Sequence, residues 1–211
     1  KVIYNLNDYT MSAYYRVDAD TTLLKGAGHF LWTFSNTNDA MKDRNGYIIG
    51  SLLDQSLSIS PKFYEATSGN QALGYATPAL KGDWHHFAYV QSGTSASVYI
   101  DGMSKGTAEI TNLPSEVLPQ PGRLGTLYNW IGRSNYITDK YLRKTLVYDF
   151  RIYNRALTDN EILTTELNVG EVIASLNTAY SEGLTSVKDV KQSADKYRIF
   201  ASEAKIKVTG L

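Results

Sequence analysis

The chain has no cysteine, only three histidines and five prolines in 211 residues, and no net charge. Without cysteine there is no disulfide framework, no thiolate nucleophile and no cysteine-ligated metal site, and the redox compartment is left unmarked. The 21 basic residues are matched by 21 acidic ones, which removes the cationic excess that binding to a phosphate backbone draws on. Nucleic acid is therefore not expected as a partner. No apolar run approaches the roughly 20 residues that a membrane-crossing helix needs, so no membrane span is expected. The opening "KVIYNLNDYT" lacks the basic stretch and apolar core of a secretion signal; the chain is expected either to be cytoplasmic or to have lost its leader. Catalytic signatures are missing too. "GAGHF" at 26–30 lacks the third glycine and following helix of a dinucleotide fold, and neither a Gly-x-Ser-x-Gly elbow nor a phosphate loop occurs.

What the chain does have is aromatic and alternating. Hydrophobic residues make up 43% and aromatics 12%, including 16 tyrosines, enough to fill a core and still place phenol rings at the surface, where they suit binding. Period-two alternation runs through "YTMSAYYRV" (9–17), "HFLWTFS" (29–35), "GYIIGSL" (46–52), "HHFAYVQ" (85–91), "SASVYID" (95–101), "LYNWIGR" (127–133) and "LVYDFRIYN" (146–154). Between these runs stand residues that tolerate positive φ: Asn45-Gly46, Ser68-Gly69-Asn70, Gly82-Asp83, Ser92-Gly93 and Asp101-Gly102. Many short strands with frequent turns predict an all-β sandwich or jelly roll, and the length asks for one main domain.

The pattern changes at Thr158. "TDNE" (158–161) is a capping box, with Thr158 placed to accept from the Glu161 amide and Glu161 to reach back. Apolar residues at Ile162, Leu163, Leu167, Val172, Ile173, Leu176 and Tyr180 keep helical spacing through two segments split at Gly170 and stopped at Gly183. The last stretch, "KYRIFASEAKIKVTGL", returns to alternation. The expected organisation is a sandwich over 1–157, a helical connection over 158–183, and a β-rich tail over 184–211 that begins a further module of a longer natural chain.

Two features invite a metal-binding reading. In "WHHFAYV" the residues Trp84, His86, Ala88 and Val90 share one strand face and His85, Phe87 and Tyr89 the other, so the adjacent histidines point apart and do not chelate one ion together. The remaining histidine, His29, offers no His-x-His spacing; the pair is expected to be ordinary sheet residues. "NTNDAMKDRNG" (36–46) gathers Asn38, Asp39, Asp43 and Asn45 into one loop of hard oxygen donors. Asp39, Asp43 and Asn45 are the candidate calcium ligands, although a solvated turn uses the same residue types. No other cofactor is expected.

The stretch "GDWHHFAYVQSGTSASVYIDGMSKGT" (82–107) resembles the central hairpin of laminin-G-like, concanavalin A-like jelly-roll modules: a tryptophan, a histidine and alternating apolars, then a strand ending Tyr-x-Asp-Gly. "NWIGRSNYITDKYLRKTLVYDFRIYNRALTDNEI" (129–162) is similar to the closing segment of the same family, with its Ile-Gly-Arg-Ser strand, intervening loop, long final strand and acidic-capped helix. "DYTMSAYYRVDADTT" matches an early strand, so the resemblance spans roughly 6–165. Two departures stand out. Only "KVIYN" is left where the family has a further strand, and Lys144 or Thr145 replaces the usual glycine before the last strand. Where pentraxin relatives carry a calcium-binding Glu-Gln-Asp run, the matching positions are Arg133, Ser134 and Asn135, and that site is expected to be missing.

The resemblance implies a concanavalin A-like lectin/glucanase jelly roll of two antiparallel sheets, and a noncatalytic carbohydrate-binding or adhesion module of a larger secreted, periplasmic or surface protein of Bacteroidetes type. Such a module would be accessory to polysaccharide degradation. The alternatives are a ligand-free spacer of a multidomain glycoside hydrolase or part of a glycosidase. Glycosidases of this fold carry Glu-x-Asp-x-x-Glu on one strand. The nearest spacing here is Glu166, Asn168 and Glu171 in a helical stretch, so no enzyme is expected in this segment. A sugar site needs aromatic faces rimmed by planar polar groups, and "LYNWIGRSNYITDKY" (127–141) supplies both. Its candidates are Tyr128, Asn129, Trp130, Arg133, Asn135, Tyr136, Asp139 and Tyr141, with Tyr136 and Arg133 expected to contribute most and a polysaccharide or glycan as partner. The competing reading puts Trp130 or Ile131 in the core, since they occupy opposite strand faces.

Overall fold

In the computed structural model the described residues are 2–21, 30–35, 46–52, 57–63, 73–75, 80–110, 113–117, 128–139, 141–182, 198–202 and 205–209. They form two five-stranded antiparallel sheets. The first runs in the order β10-β1-β6-β7-β8, from Thr145–Tyr153, Tyr9–Val17, His85–Ser92, Ser95–Ile100 and Met103–Glu109. The second runs β5-β4-β3-β2-β9, from Leu73–Tyr75, Leu57–Phe63, Gly46–Leu52, Phe30–Ser35 and Tyr128–Ile131. A short helix α1 (Pro114–Val117) follows β8, a π-helical turn spans Glu161–Thr165, and helix α2 covers Val169–Ser181. The tail forms a separate ribbon of β11 (Arg198–Ser202) and β12 (Lys205–Thr209). The architecture is the expected jelly-roll sandwich, with β4, β5 and β8 added to the strands that alternation picks out. Among the described residues no helix is long and apolar enough to cross a membrane.

Period-two alternation is what builds the core between the sheets. Tyr9, Met11, Ala13, Tyr15 and Val17 of β1 face Phe87 and Tyr89 of β6, Trp32 and Phe34 of β2, and Ile48 and Leu52 of β3. Trp32 stacks on Phe87 with ring centroids 5.2 Å apart, and half-buried Phe150 of β10 closes the cluster against Trp32 at 5.4 Å.

The opposite face of the first sheet is also covered, which is why β1 is buried along nearly its whole length. Tyr14, Trp84, Ala88, Val90 and Tyr99 pack under Leu157, Ile162, Leu167, Val169 and Leu176, the apolar side of the helical segment. Hydrogen bonds between strand and cover pin it: Tyr14 Oη donates to Leu167 O at 3.0 Å, Thr10 Oγ1 to Arg155 O at 3.0 Å, Tyr99 Oη to Asp159 Oδ1 at 2.6 Å, and Leu157 N–H to Thr10 Oγ1 at 2.9 Å. The capping box forms as the sequence predicts, with Glu161 N–H on Thr158 Oγ1 at 3.3 Å and Thr158 N–H on Glu161 Oε2 at 2.9 Å. The interruption in the helical run differs from the expected one. It falls at Asn168, which takes φ 48°, and Gly170 lies inside α2; asparagine is among the few residues that enter the left-handed region readily.

Candidate functional site

Strand β9 is an edge strand paired only with β2, in the register Trp32↔Ile131, Thr33↔Trp130, Phe34↔Asn129 and Ser35↔Tyr128. Residues directly opposite in a sheet share a face. Since Trp32 and Phe34 are core, Ile131 and Asn129 sit on the core-side face at the sheet margin. Tyr128 and Trp130 therefore stand on the outer face beside Thr33 and Ser35. This decides between the two readings of the segment: Trp130 is half-buried on the outer surface, and Ile131, at 39% exposure, borders the core without filling it.

The loop after β9 folds back over this outer face, and its neck is tied by backbone bonds. Gly132 N–H donates to Leu31 O at 3.0 Å and Leu142 N–H to Gly132 O at 2.7 Å. Gly132 takes φ 82°, a conformation that glycine adopts without steric cost. Thr33 Oγ1 donates to Arg133 O at 2.8 Å, and Asn135 Nδ2 to Ser35 Oγ at 3.0 Å. Asn135, expected on the rim of a site, is instead fully buried, because Ser35 draws its amide down onto the sheet. The Tyr136 ring packs on buried Phe30 and Ile49, so the loop is anchored through one of the aromatics expected to bind. Thr33, Ser35, Phe30 and Ile49 form this anchorage; the polar Thr33 and Ser35 alternating with Trp32 and Phe34 were its only signal in the sequence.

What stays at the surface is a compact aromatic and cationic group. The rings of Tyr128 and Trp130 have centroids 5.4 Å apart and planes 35° apart. The Arg133 guanidinium lies 4.0 Å from the Trp130 ring centroid and 5.1 Å from that of Tyr141, distances at which ring quadrupoles attract the cation. Its Nε donates to Ser134 O at 3.2 Å, and Nη1 reaches Tyr141 Oη at 3.5 Å. Tyr141 is 64% exposed, and Asn129 is exposed on the other face of β9. Asp139 is half-buried in the turn closed by its N–H on Tyr136 O at 3.1 Å. Burial pushes its carboxyl above the ordinary range, against a hydrogen bond from Ser134.

The two histidines are used inside the first sheet. His85 Nδ1 lies 2.8 Å from Asp101 Oδ2, and the His86 N–H donates to Asp101 Oδ1 at 2.8 Å. Asp101 (φ 51°) and Gly102 (φ 79°) form the two-residue turn between β7 and β8, so the histidine pair clamps the carboxylate of an Asp-Gly hairpin. His86 is fully buried against Tyr14, ring centroids 4.6 Å apart. Glu166 pairs with Arg155 at 3.3 Å, while Asn168 Nδ2 donates to Glu171; all three residues of that spacing lie on the helical cover rather than on a strand. Among the described residues no three metal-ligating side chains converge. Asp39, Asp43, Asn45 and His29 lie outside the described residues.

Comparison with known structures follows the sandwich. The chain is similar to the NanB sialidase of Streptococcus pneumoniae, at 15% identity and TM-score 0.58 over 75% of this chain and 24% of that one. It is similar to the CBM40 module of the Ruminococcus gnavus IT-sialidase, solved bound to α2,3 sialyllactose, at 12% identity and TM-score 0.55 over 77% and 84%. Domain 4 of AbnA, an extracellular GH43 arabinanase of Geobacillus stearothermophilus solved with arabinotriose, matches at 18% identity and TM-score 0.51 over 77% and 66%. The chain thus spans about a quarter of the sialidase and most of the isolated module. No curated protein matches its sequence. The profile of one family does match, over residues 2–163 and so over most of the chain, and with the sandwich described above it establishes that this protein belongs to the concanavalin A-like lectin/glucanases superfamily.

Proposed function

We propose that the chain is a noncatalytic carbohydrate-binding or adhesion module of a larger secreted, periplasmic or surface protein, accessory to polysaccharide degradation. The observation that carries this reading is the half-exposed row of Tyr128, Trp130, Arg133 and Tyr141 on and beside edge strand β9. Tyr141 and Tyr128 offer ring faces to the apolar side of a sugar, and Arg133 offers N–H donors to its hydroxyls. The module bound to sialyllactose and the domain bound to arabinotriose support the assignment as carriers of glycans on the same sandwich. Asn129 lies on the other face of β9 and Asp139 in the turn of the loop, which Asn135 and Tyr136 hold. A shallow, solvent-exposed site of this size supplies about 4–5.5 kcal/mol, a dissociation constant of about 0.1–1 mM. Calcium held by Asp39, Asp43 and Asn45 is not needed for this binding. A polysaccharide array probed with the whole chain, with and without a calcium chelator, tests the proposal: at least one glycan is expected to be retained under both conditions. An array blank throughout would instead make the chain a spacer.

A further inference from the structure

We infer that this site, on the reading of it as a glycan site, selects sugars that bear a carboxylate, a uronic or sialic acid, and that Arg133 is its selectivity residue. The first ground is pairing. Arg16 faces Asp18 at 3.0 Å, Arg151 faces Asp149 at 2.7 Å, and Arg155 faces Glu161 at 2.6 Å and Glu166 at 3.3 Å. Arg133 has no carboxylate partner among the described residues and is held by two aromatic rings and by Ser134 O instead. The second ground is geometry. With its carbon 4.0 Å from the Trp130 ring centroid and 5.1 Å from that of Tyr141, the guanidinium is bordered by ring surface and offers a ligand its remaining N–H edge. Of its five N–H groups, one bonds Ser134 O and one reaches toward Tyr141 Oη. One N–H on Nη1 and both on Nη2 remain. That is the end-on fork to which the two oxygens of a carboxylate are matched, in parallel hydrogen bonds that a single sugar hydroxyl does not reproduce.

The third ground is local charge. Residues 128–144 contain Arg133, Lys140, Arg143 and Lys144 against the single acid Asp139, in a chain whose total charge is zero. Asp139 is half-buried with one carboxylate oxygen out of solvent, and Lys144 is paired with Asp20 at 2.7 Å. Arg143 is exposed on the loop return two residues after Tyr141. A carboxylate arriving at Arg133 therefore meets no competing surface acid from this segment.

The test is titration of the whole chain with trigalacturonate, its carboxyl-reduced counterpart, 3′-sialyllactose and lactose, in the wild type and in Arg133→Met, which keeps the aliphatic stem. At least one acidic sugar is expected to bind about ten-fold more tightly than its uncharged partner, with the preference lost in Arg133→Met; which of the two binds distinguishes a uronate from a sialic acid. Equal affinity for the acidic and uncharged members of both pairs, or a preference that survives Arg133→Met, would overturn the inference and leave the glycan site standing. Failure of all four sugars to bind, on a protein that retains no glycan on an array, would remove the site and the inference together.

Discussion

Gly50 shows how closely single atoms are accommodated in this core. A Cβ built there would lie 2.3–2.7 Å from three atoms of the Trp32 ring, and Trp32, fully buried and stacked on Phe87, has nowhere to retreat. The strand glycine is thus the floor on which the indole rests. Gly50→Ala is expected to destabilise the fold by about 1–3 kcal/mol through overpacking, measured as a lowered urea midpoint at unchanged slope; an unaltered midpoint would mean that the indole does not lie over this strand. Lys144 is a non-glycine residue in the left-handed region. It takes φ 46° where the family resemblance has a glycine, and it is tied there by Asp18 N–H on its carbonyl at 2.9 Å.

At the scale of elements, the helical segment acts as the lid of the first sheet and sets the proton chemistry beneath it. Burial pushes the His86 imidazole from 6.5 down to about 3; Arg151 adds to the effect and Asp101 opposes it. Between those two values the unfolded chain binds a proton that the folded chain does not. Stability is therefore undiminished by this group above pH 6.5 and falls as pH drops toward 3, by up to about 1.4 kcal/mol per pH unit. His86→Leu is expected to flatten this slope, so that denaturation at pH 7 and pH 4.5 separates the two proteins by about 2 kcal/mol at the acid end; parallel losses would show that the ring reaches solvent. Much of this architecture was legible in advance. The seven alternating runs all became strands, most of them because they turn one apolar face to the core and β9 by pairing with β2 at the sheet margin, and the Thr158–Glu161 box capped the turn it was expected to cap. Strand β8 was missed because "MSKGTAE" lies at a sheet edge and is largely exposed, where no burial enforces alternation. The lid was legible as a helix but not as a cover, since its partner residues on β1 and β6 are some 70 to 150 positions away in the sequence.

The whole molecule is a sandwich of which one sheet is sealed by its own helix, while the other keeps an edge strand and a folded-back loop at the surface. What the sequence offered for the candidate site was the crowding of aromatics and amides over 127–141, and sugar binding there is the proposal that rests on it. The division of labour within it was not. Which aromatic anchors the loop and which stays exposed depends on Phe30, Ile49, Thr33 and Ser35 from a distant strand pair, and alternation on β9 alone does not reveal them. The measurement that bears most directly on the molecule as a glycan-binding module is isothermal titration of its best array ligand into the wild type and into Tyr141→Ala. Tyr141 is 64% exposed, so its loss leaves the fold intact and reports on the site. A dissociation constant of about 0.1–1 mM in the wild type, weakened about ten-fold or more in the variant, is the predicted result. Equal binding by both proteins would place the sugar elsewhere on the sandwich, and no heat from either would contradict the module assignment altogether.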